Sequence, residues 1–258
     1  NIVEYDFFEF EKKVYENDKL FSENLVESLL NGDVFLLRNS FDKSYLKDLK
    51  IAVIDLFNAS KSSFYKILEG CPNFHRNIDN SISDKYAFHQ VKHTHYFFPW
   101  NKDVCNLYNV VNRRWRVIKY LSGYYRDIWE KNTPKDLIVD RIQIVRYPPG
   151  TGELEPHQDP YLYQKFFQSV YMSKINQDYK DGGMYFLDNN NEIVKFEERV
   201  EVGDLAFGFA TLYHGVAKSF SISNNKKSYE YGRWFMGLYT TVSDYVKERH
   251  TGKPLDNK

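Results

Sequence analysis

The chain is poor in cysteine. Its 258 residues contain two, Cys71 and Cys105. This number is too small for the disulfide framework of a compact secreted domain, and the two residues do not form a Cys-x-x-Cys pair of the kind used for zinc or redox chemistry. We therefore expect a protein of a reducing compartment, the cytoplasm.

The chain also has no excess of charge of either sign and no long apolar run. Lys+Arg and Asp+Glu both number 35, so the formal net charge is zero, and no long-range field favours nucleic acid or an anionic membrane. No stretch approaches the roughly 20 apolar residues that span a bilayer, and Asn1-Ile2-Val3-Glu4-Tyr5 lacks a signal-peptide pattern. We expect neither a nucleic-acid partner nor a membrane.

Aromatic residues are abundant, with 21 Tyr and 20 Phe, so a large core is available. We expect a single domain over residues 1–258, with a mainly helical layer over 1–135. Apolar residues at helical spacing predict helices over 19–31, ended by Gly32, and over 103–131, with Ser122-Gly123 as the weak point. A further helix is expected after Asp42 or Ser44, either of which can act as its N-cap.

After Pro134 the pattern changes to short strands separated by Gly, Pro, Asn and Asp. Such spacing is typical of two packed β-sheets, and residues 188–191 predict a tight hairpin turn. We therefore expect an α+β protein whose segment 136–245 forms the β-sheet core. N-terminal helices would brace the outer face of that core.

Three residues form a candidate metal site. His157 and Asp159 stand at positions i and i+2, which point to the same face of an extended strand. His214 follows the apolar run Gly203-Asp204-Leu205-Ala206-Phe207-Gly208-Phe209, which predicts a buried strand with this histidine at its far end. Two imidazoles and one carboxylate are the ligand set of non-heme Fe(II) oxygenases, which leaves coordination positions open.

Arg233 is a candidate carboxylate anchor. A guanidinium matches a carboxylate in geometry and charge. Alternation along the strand would place Arg233, Phe235 and Tyr239 on one face and Trp234, Met236 and Leu238 on the other. If the first face lines a cavity, Arg233 lies in it.

In these motifs the segment 140–241 resembles the core of the 2-oxoglutarate and Fe(II)-dependent oxygenases, of the phytanoyl-CoA and prolyl hydroxylase type. The matching pieces, in chain order, are Ile144-Val145-Arg146-Tyr147-Pro148-Pro149-Gly150, His157-Gln158-Asp159, Asp181-Gly182-Gly183-Met184-Tyr185-Phe186, Val202-Gly203-Asp204-Leu205-Ala206-Phe207, His214-Gly215-Val216 and Arg233-Trp234-Phe235-Met236. The resemblance implies a double-stranded β-helix, the jelly-roll or cupin-like barrel, with the metal inside its open end. It also implies Fe(II) as cofactor, with 2-oxoglutarate and O2 as co-substrates.

The resemblance assigns roles to individual residues. His157, Asp159 and His214 would hold the iron and act as the catalytic centre, and Arg233 would bind the distal (C5) carboxylate of 2-oxoglutarate. The gap from His214 to Arg233 is longer than in many relatives, and residues 221–227 look like an inserted turn. The hydroxyl residue often found two positions after the arginine is Phe235 here. Lys174 is therefore kept as a rival anchor, and Tyr147 as a second donor to the same carboxylate.

The expected activity is hydroxylation, or another oxidation, of a C–H bond in a small metabolite such as an amino acid, a sugar or a specialised-metabolism intermediate. The carboxylate Asp159 favours this over halogenation, for which relatives carry a small residue instead. Two alternatives stay open. One is a peptidyl or protein hydroxylase of the same type, and the other is a non-redox metal-binding cupin, such as a sugar isomerase or binding protein, which has no need for Arg233.

Three other features receive weaker interpretations. The motif Arg113-Arg114-x-Arg116 is interpreted as a solvated helix face. His93 and His95, within the aromatic segment 92–100, could line a substrate loop, although packing is the alternative, and no third metal ligand is evident nearby. Four polar residues around the ligand strand could contact a polar substrate, namely Glu153, Glu155, Gln164 and Lys165.

Overall fold

The computed structural model describes residues 1–222 and 229–255, and the expected inserted turn lies outside this part from position 223 onward. The helices α1–α5 are Phe7–Tyr15, Lys19–Leu30, Lys43–Ala59, Asn80–Ser83 and Leu107–Leu121. The strands β1–β13 are Ile2–Asp6, Val34–Arg38, Phe74–Ile78, Gln90–Phe97, Ile138–Tyr147, Glu153–Gln158, Phe166–Tyr171, Gly183–Leu187, Ile193–Lys195, Leu205–Phe209, His214–Ala217, Arg233–Val242 and Lys253–Pro254. Single 3-10 turns lie at Pro134–Asp136 and Glu197–Arg199.

The strands form two sheets that share one strand. The larger sheet has the order β1-β2-β10-β7-β12-β5-β4, with β3 added to β4, and the smaller has the order β4-β6-β11-β8-β9, with β13 added to β6. Strand β4 joins them because Gln90 and Val91 pair with β6, whereas His93–Phe97 pair with β5. Among the strands that the structure describes, every pair is antiparallel except β1 with β2. The arrangement is a double-stranded β-helix whose barrel is not closed by pairing among the described strands.

The helices cover the outer face of the larger sheet, as predicted. Strand β12 alternates, so that Trp234, Met236 and Leu238 are fully buried in the core shared with the helices. That core includes Leu49 of α3 and Trp115 of α5. Each of these apolar side chains contributes about 1.5–3 kcal/mol by leaving water. The opposite face of the same strand is left to line the interior of the barrel.

Several local predictions are confirmed. Helix α2 spans Lys19–Leu30, and Gly32 follows it with φ +82°. Asp42 is the N-cap of α3, where its side chain accepts a hydrogen bond from the Tyr45 amide at 2.9 Å. The turn at 188–191 joins the antiparallel strands β8 and β9, and Asn191 adopts the left-handed conformation at φ 61°.

The segment 1–135, expected to be mainly helical, has more residues in helices than in strands, but it also contributes β1 to β4 to the sheets. The helix predicted over 103–131 is too long. It begins at Leu107, after Cys105 and Asn106 in left-handed conformations, and ends at Leu121, before Gly123 at φ +82°. Later aromatic residues such as Trp129 are buried without continuing the helix. None of the described helices is long and apolar enough to cross a membrane.

Candidate metal centre

The structure brings His157, Asp159 and His214 together at one end of the barrel. His157 lies on β6 and His214 on β11, and the two are direct partners across the antiparallel pair. Their rings are 4.5 Å apart between centroids, and Asp159 follows β6 directly. One donor atom from each residue lies within 4.8 Å of the others, and no other such group occurs in the described ranges 1–222 and 229–255.

Both histidines are oriented by backbone carbonyls. The Nδ1 of His157 lies 2.9 Å from the carbonyl oxygen of Glu155, and the Nδ1 of His214 lies 2.9 Å from that of Leu212. With Nδ1 donating a proton to a carbonyl, each Nε2 carries its lone pair toward the shared space, as a metal ligand must. Phe88 stacks on His157 with 4.4 Å between ring centroids and limits its rotation.

The electrostatics of the group suit a cation. Burial lowers the pKa of His214 to about 4, and the neighbouring His157 ring adds to this, so His214 is neutral near pH 7. Burial alone would raise the pKa of Asp159, but its close contact with His157, 3.5 Å from Nε2 to Oδ1, and the positive charge of Lys92 act against burial, and the pKa is lowered. The site therefore offers a neutral imidazole at His214 and an ionised carboxylate at Asp159 beside His157.

The route by which His214 reaches the site differs from the prediction. The apolar run ends as β10, Leu205–Phe209, which belongs to the larger sheet. His214 instead begins β11 of the smaller sheet, after a short crossover that lets the Asp159 amide donate to the Ala210 carbonyl at 2.9 Å. The crossover between sheets, which has no local sequence signal, thus fixes two of the three donors.

A cavity of about 200 Å³ opens beside the three donors. Its polar lining comes mainly from β4, β5, β7 and β12 of the larger sheet. The polar and charged residues of this lining other than the three donors are Gln90, Lys92, Arg141, Gln143, Tyr147, Gln164, Gln168, Ser169, Arg233, Tyr239, Thr240 and Thr241.

Arg233 and Tyr147 lie at this cavity as partners in register on β12 and β5. Both are fully buried, and the guanidinium lies 5.6 Å from the centre of the Tyr147 ring. The Nη1 of Arg233 and the hydroxyl of Tyr147 have no hydrogen-bond partner among the described residues. Two buried donors without acceptors at one place are costly, and a carboxylate entering the cavity would satisfy them.

Glu197 is one of the residues at this site that the sequence did not reveal. Its carboxylate accepts from Arg233 Nε at 2.7 Å and from Nη2 at 3.2 Å, and both side chains are buried. Burial would lower the pKa of Arg233, but the charge of Glu197 outweighs it, and the pKa lies above its usual value. Glu197 also accepts from the Tyr179 hydroxyl and from the Met184 amide. The guanidinium is thus neutralised on one edge and free on the other.

The fold is shared with solved structures of low sequence identity. A prolyl-4-hydroxylase from Pseudomonas putida superposes with a TM-score of 0.52 at 12% identity over 85% of this chain and 97% of that one. A 2OG-Fe(II) oxygenase family protein from Caulobacter crescentus gives a TM-score of 0.54 at 13% identity over 94% and 86%. A Neurospora crassa protein, in its C-terminally truncated apo form, gives 0.55 at 10% identity over 94% of each chain. No protein-family model and no curated protein match the sequence.

This chain shares the double-stranded β-helix fold of these solved structures. The full-length Neurospora crassa protein has also been solved with alpha-KG and thymine, and JOX2 has been solved with 2OG, Fe and JA. At identities of 10–13% these likenesses establish the fold alone.

Within this fold Lys174 does not line the cavity. It lies beyond the end of β7, not on the strand as expected, and its ammonium is paired with Glu201. Of the four polar residues that flank the ligand strand, only Gln164 lines the cavity. Glu153 contacts His89 and Lys218 at the outside of the smaller sheet.

The histidines of segment 92–100 lie on the other side of the sheet. The segment is strand β4 and not a loop over most of its length, and the rings of His93 and His95 pack against Phe57 of α3. Burial lowers the pKa of His93 to about 4 and of His95 to about 3, so both are neutral packing residues. The cavity-facing residue of this segment is Lys92, which the sequence analysis did not single out.

The three arginines of the motif Arg113-Arg114-x-Arg116 form hydrogen bonds and ion pairs within the protein. Arg113 pairs with Glu11 at 3.0 Å, and Arg116 forms two hydrogen bonds with Glu130 at 2.7 and 2.8 Å. Arg114 is not solvated as expected, because its Nε donates to the Ser40 carbonyl at 2.6 Å. The three arginines brace α5 against its surroundings.

Proposed function

We propose that the protein is a 2-oxoglutarate- and Fe(II)-dependent dioxygenase that hydroxylates a C–H bond of a small metabolite. The observation that carries the proposal is one cavity lined by both a metal-ligand group and a carboxylate-binding group. The metal ligands are His157, Asp159 and His214, and the carboxylate-binding group is formed by the unpaired hydrogen-bond donors of Arg233 and Tyr147. A metal alone explains the first group, and a dicarboxylate co-substrate explains the second.

The residues of the cavity would have two roles, metal binding and co-substrate binding. The Nε2 atoms of His157 and His214 and the Asp159 carboxylate would hold Fe(II) on one face and leave the other face open. Arg233 Nη1 and the Tyr147 hydroxyl would bind the C5 carboxylate of 2-oxoglutarate and orient its keto-acid end toward the donors. Iron, 2-oxoglutarate and O2 supply the oxidation, in which one oxygen atom enters the substrate and the other enters succinate with loss of CO2.

The size of the cavity supports a small substrate. About 200 Å³ is less than the roughly 300–1,000 Å³ of pockets for drug-sized ligands, and part of it must take the co-substrate. Both cysteines are free, Cys71 buried and Cys105 exposed, which supports the proposal of a reducing, cytoplasmic location. One chain of 258 residues would carry the whole site as a single domain.

A non-redox metal-binding barrel is the second candidate, and Glu197 is the observation that favours it. Because Glu197 neutralises Arg233, the arginine is less attractive to a dicarboxylate than a free guanidinium. The two candidates differ in one measurement. Anaerobic addition of Fe(II) and then 2-oxoglutarate should produce the visible charge-transfer band of a bidentate complex, and succinate should form when O2 is admitted. Metal binding without the band would favour the non-redox barrel.

A further inference from the structure

We propose that the substrate carries a carboxylate, and that Lys92 and Arg141 bind it beside the metal donors. This inference rests on the proposed function and names the substrate class of the same site. Lys92 on β4 and Arg141 on β5 both line the cavity that contains His157, Asp159 and His214.

Arg141 contacts two aromatic rings and one amide, and it forms no ion pair with any carboxylate that the structure describes. Its guanidinium lies 5.5 Å from the centres of the Tyr96 and Tyr239 rings. In the amide orientation of Gln143 that satisfies both groups, the Gln143 oxygen accepts from Arg141 Nη2 at 2.8 Å. The aromatic rings and the neutral amide orient the Arg141 guanidinium without neutralising its charge.

Lys92 is also unpaired. Within residues 1–222 and 229–255, no carboxylate oxygen lies within 4.0 Å of the Lys92 or Arg141 nitrogen atoms. Burial lowers the pKa of Lys92 to about 8, against the opposing charge of Asp159, so the ammonium is still charged at neutral pH. Lys92 and Arg141 are partly buried, and cations withdrawn from water are normally paired, as the fully buried Lys119 of this chain is with Asp140 at 2.5 Å.

The net charge of the site with iron and 2-oxoglutarate bound indicates the charge of the substrate. Fe(II), the Asp159 carboxylate and dianionic 2-oxoglutarate together carry one net negative charge, and the Arg233–Glu197 pair carries none. Lys92 and Arg141 add two positive charges, so one positive charge remains. A monoanion balances it, which favours a carboxylate over a phosphate dianion.

Further polar atoms in the cavity also lack partners. The amide nitrogen of Gln164 and the amide oxygen of Gln168 are buried without hydrogen bonds among the described residues, and both side chains line the cavity. The Gln164 oxygen is already used, since it accepts from the Thr240 amide at 3.1 Å. A substrate with an acid group and additional polar atoms would form hydrogen bonds with these unpaired amide atoms, whereas a hydrocarbon could not.

The two cations form a different group from the one assigned to 2-oxoglutarate. Arg233 is surrounded by Glu197, Tyr171 and Tyr147, whereas the carboxylate whose charge acts on the pKa of Lys92 and of Arg141 is Asp159. If Arg233 and Tyr147 hold the co-substrate, Lys92 and Arg141 remain available for the substrate.

The test uses the anaerobic Fe(II)–2-oxoglutarate complex of the full chain. It is titrated with butyrate and 3-phenylpropionate, and separately with their primary amides, while the charge-transfer band and the melting temperature are followed. The acids should perturb the band and stabilise the complex, and the amides should bind at least about tenfold more weakly, as for loss of one charge-assisted interaction. Lys92→Met and Arg141→Met should each weaken acid binding by about tenfold or more. Lys165→Met, at an exposed lysine outside the cavity, is the matched control.

Three results would overturn the inference while the proposed function stands. The complex could form but bind acids no better than amides, or bind neither. Lys165→Met could weaken acid binding as much as Lys92→Met. The Lys92 and Arg141 variants could raise the 2-oxoglutarate requirement more than the acid requirement, which would assign the pair to the co-substrate. Failure of the wild-type band is distinguishable from all three, because it overturns the proposed function itself and this inference with it.

Discussion

Glu197→Gln should destabilise the protein and at the same time strengthen its binding of 2-oxoglutarate. In the wild type the Glu197 carboxylate forms two hydrogen bonds with Arg233, and the two side chains are 4% and 1% exposed. The glutamine has nearly the same shape but no charge. The substitution therefore leaves a buried guanidinium without a counter-ion.

The size of the effect follows from that burial. Loss of one member of a buried ion pair costs about 3–5 kcal/mol, and the lower end applies because glutamine can still accept one hydrogen bond. For a chain of this length each kcal/mol shifts the melting temperature by roughly 2–4 °C, so the variant should melt about 6–12 °C lower. A carboxylate bound at Arg233 replaces the missing charge, and 2-oxoglutarate should bind about tenfold more tightly, equivalent to about 1.4 kcal/mol.

Thermal unfolding with and without Mn(II) and 2-oxoglutarate measures both quantities in one assay. Glu198→Gln is the control, since Glu198 is the exposed neighbour and should change neither. An unaltered melting temperature for Glu197→Gln would show that the Arg233–Glu197 pair does not contribute the expected free energy to folding. Weaker 2-oxoglutarate binding in a folded variant would show that Glu197 orients Arg233, and the argument from charge competition would be refuted.

Three further outcomes are expected. His214→Ala should abolish Fe(II) retention and succinate formation together, as measured by metal analysis and turnover, and a variant that kept its iron would contradict the ligand assignment. Arg233→Ala should raise the 2-oxoglutarate concentration needed for half-maximal turnover by about tenfold or more, whereas Lys174→Ala should leave it unchanged; the reverse result would move the anchor to Lys174. Lys119→Met leaves the Asp140 carboxylate buried and unpaired, and should cost about 3–5 kcal/mol in denaturant unfolding.

Local patterns accounted for much of the architecture. The Asp42 cap, the helix ended before Gly32 and the hairpin at 188–191 were predictable because each depends on residues within a few positions of one another. The alternation of β12 was predictable for the same reason, since side chains on a strand change face at every residue.

The strands β3 and β4 were missed because neither face of β4 has a simple polarity. One face carries His93 and His95 into packing under α3, and the other carries Lys92 into a polar cavity. Neither apolar alternation nor a continuous apolar run results, and these are the signals from which strands are recognised. The predicted long helix failed for a related reason, because buried aromatic residues such as Trp129 can lie in turns.

The sequence by itself determined which residues could ligate a metal, because a histidine and an aspartate two positions apart on a strand must share a face. Tertiary structure decided what surrounds that metal site. Glu197 meets Arg233 across 36 positions, and Lys92 and Arg141 come from separate strands to one cavity. Contacts of this kind depend on how strands cross between the two sheets, which no local sequence pattern encodes. The charged residues that line the cavity could therefore be identified only from the tertiary structure.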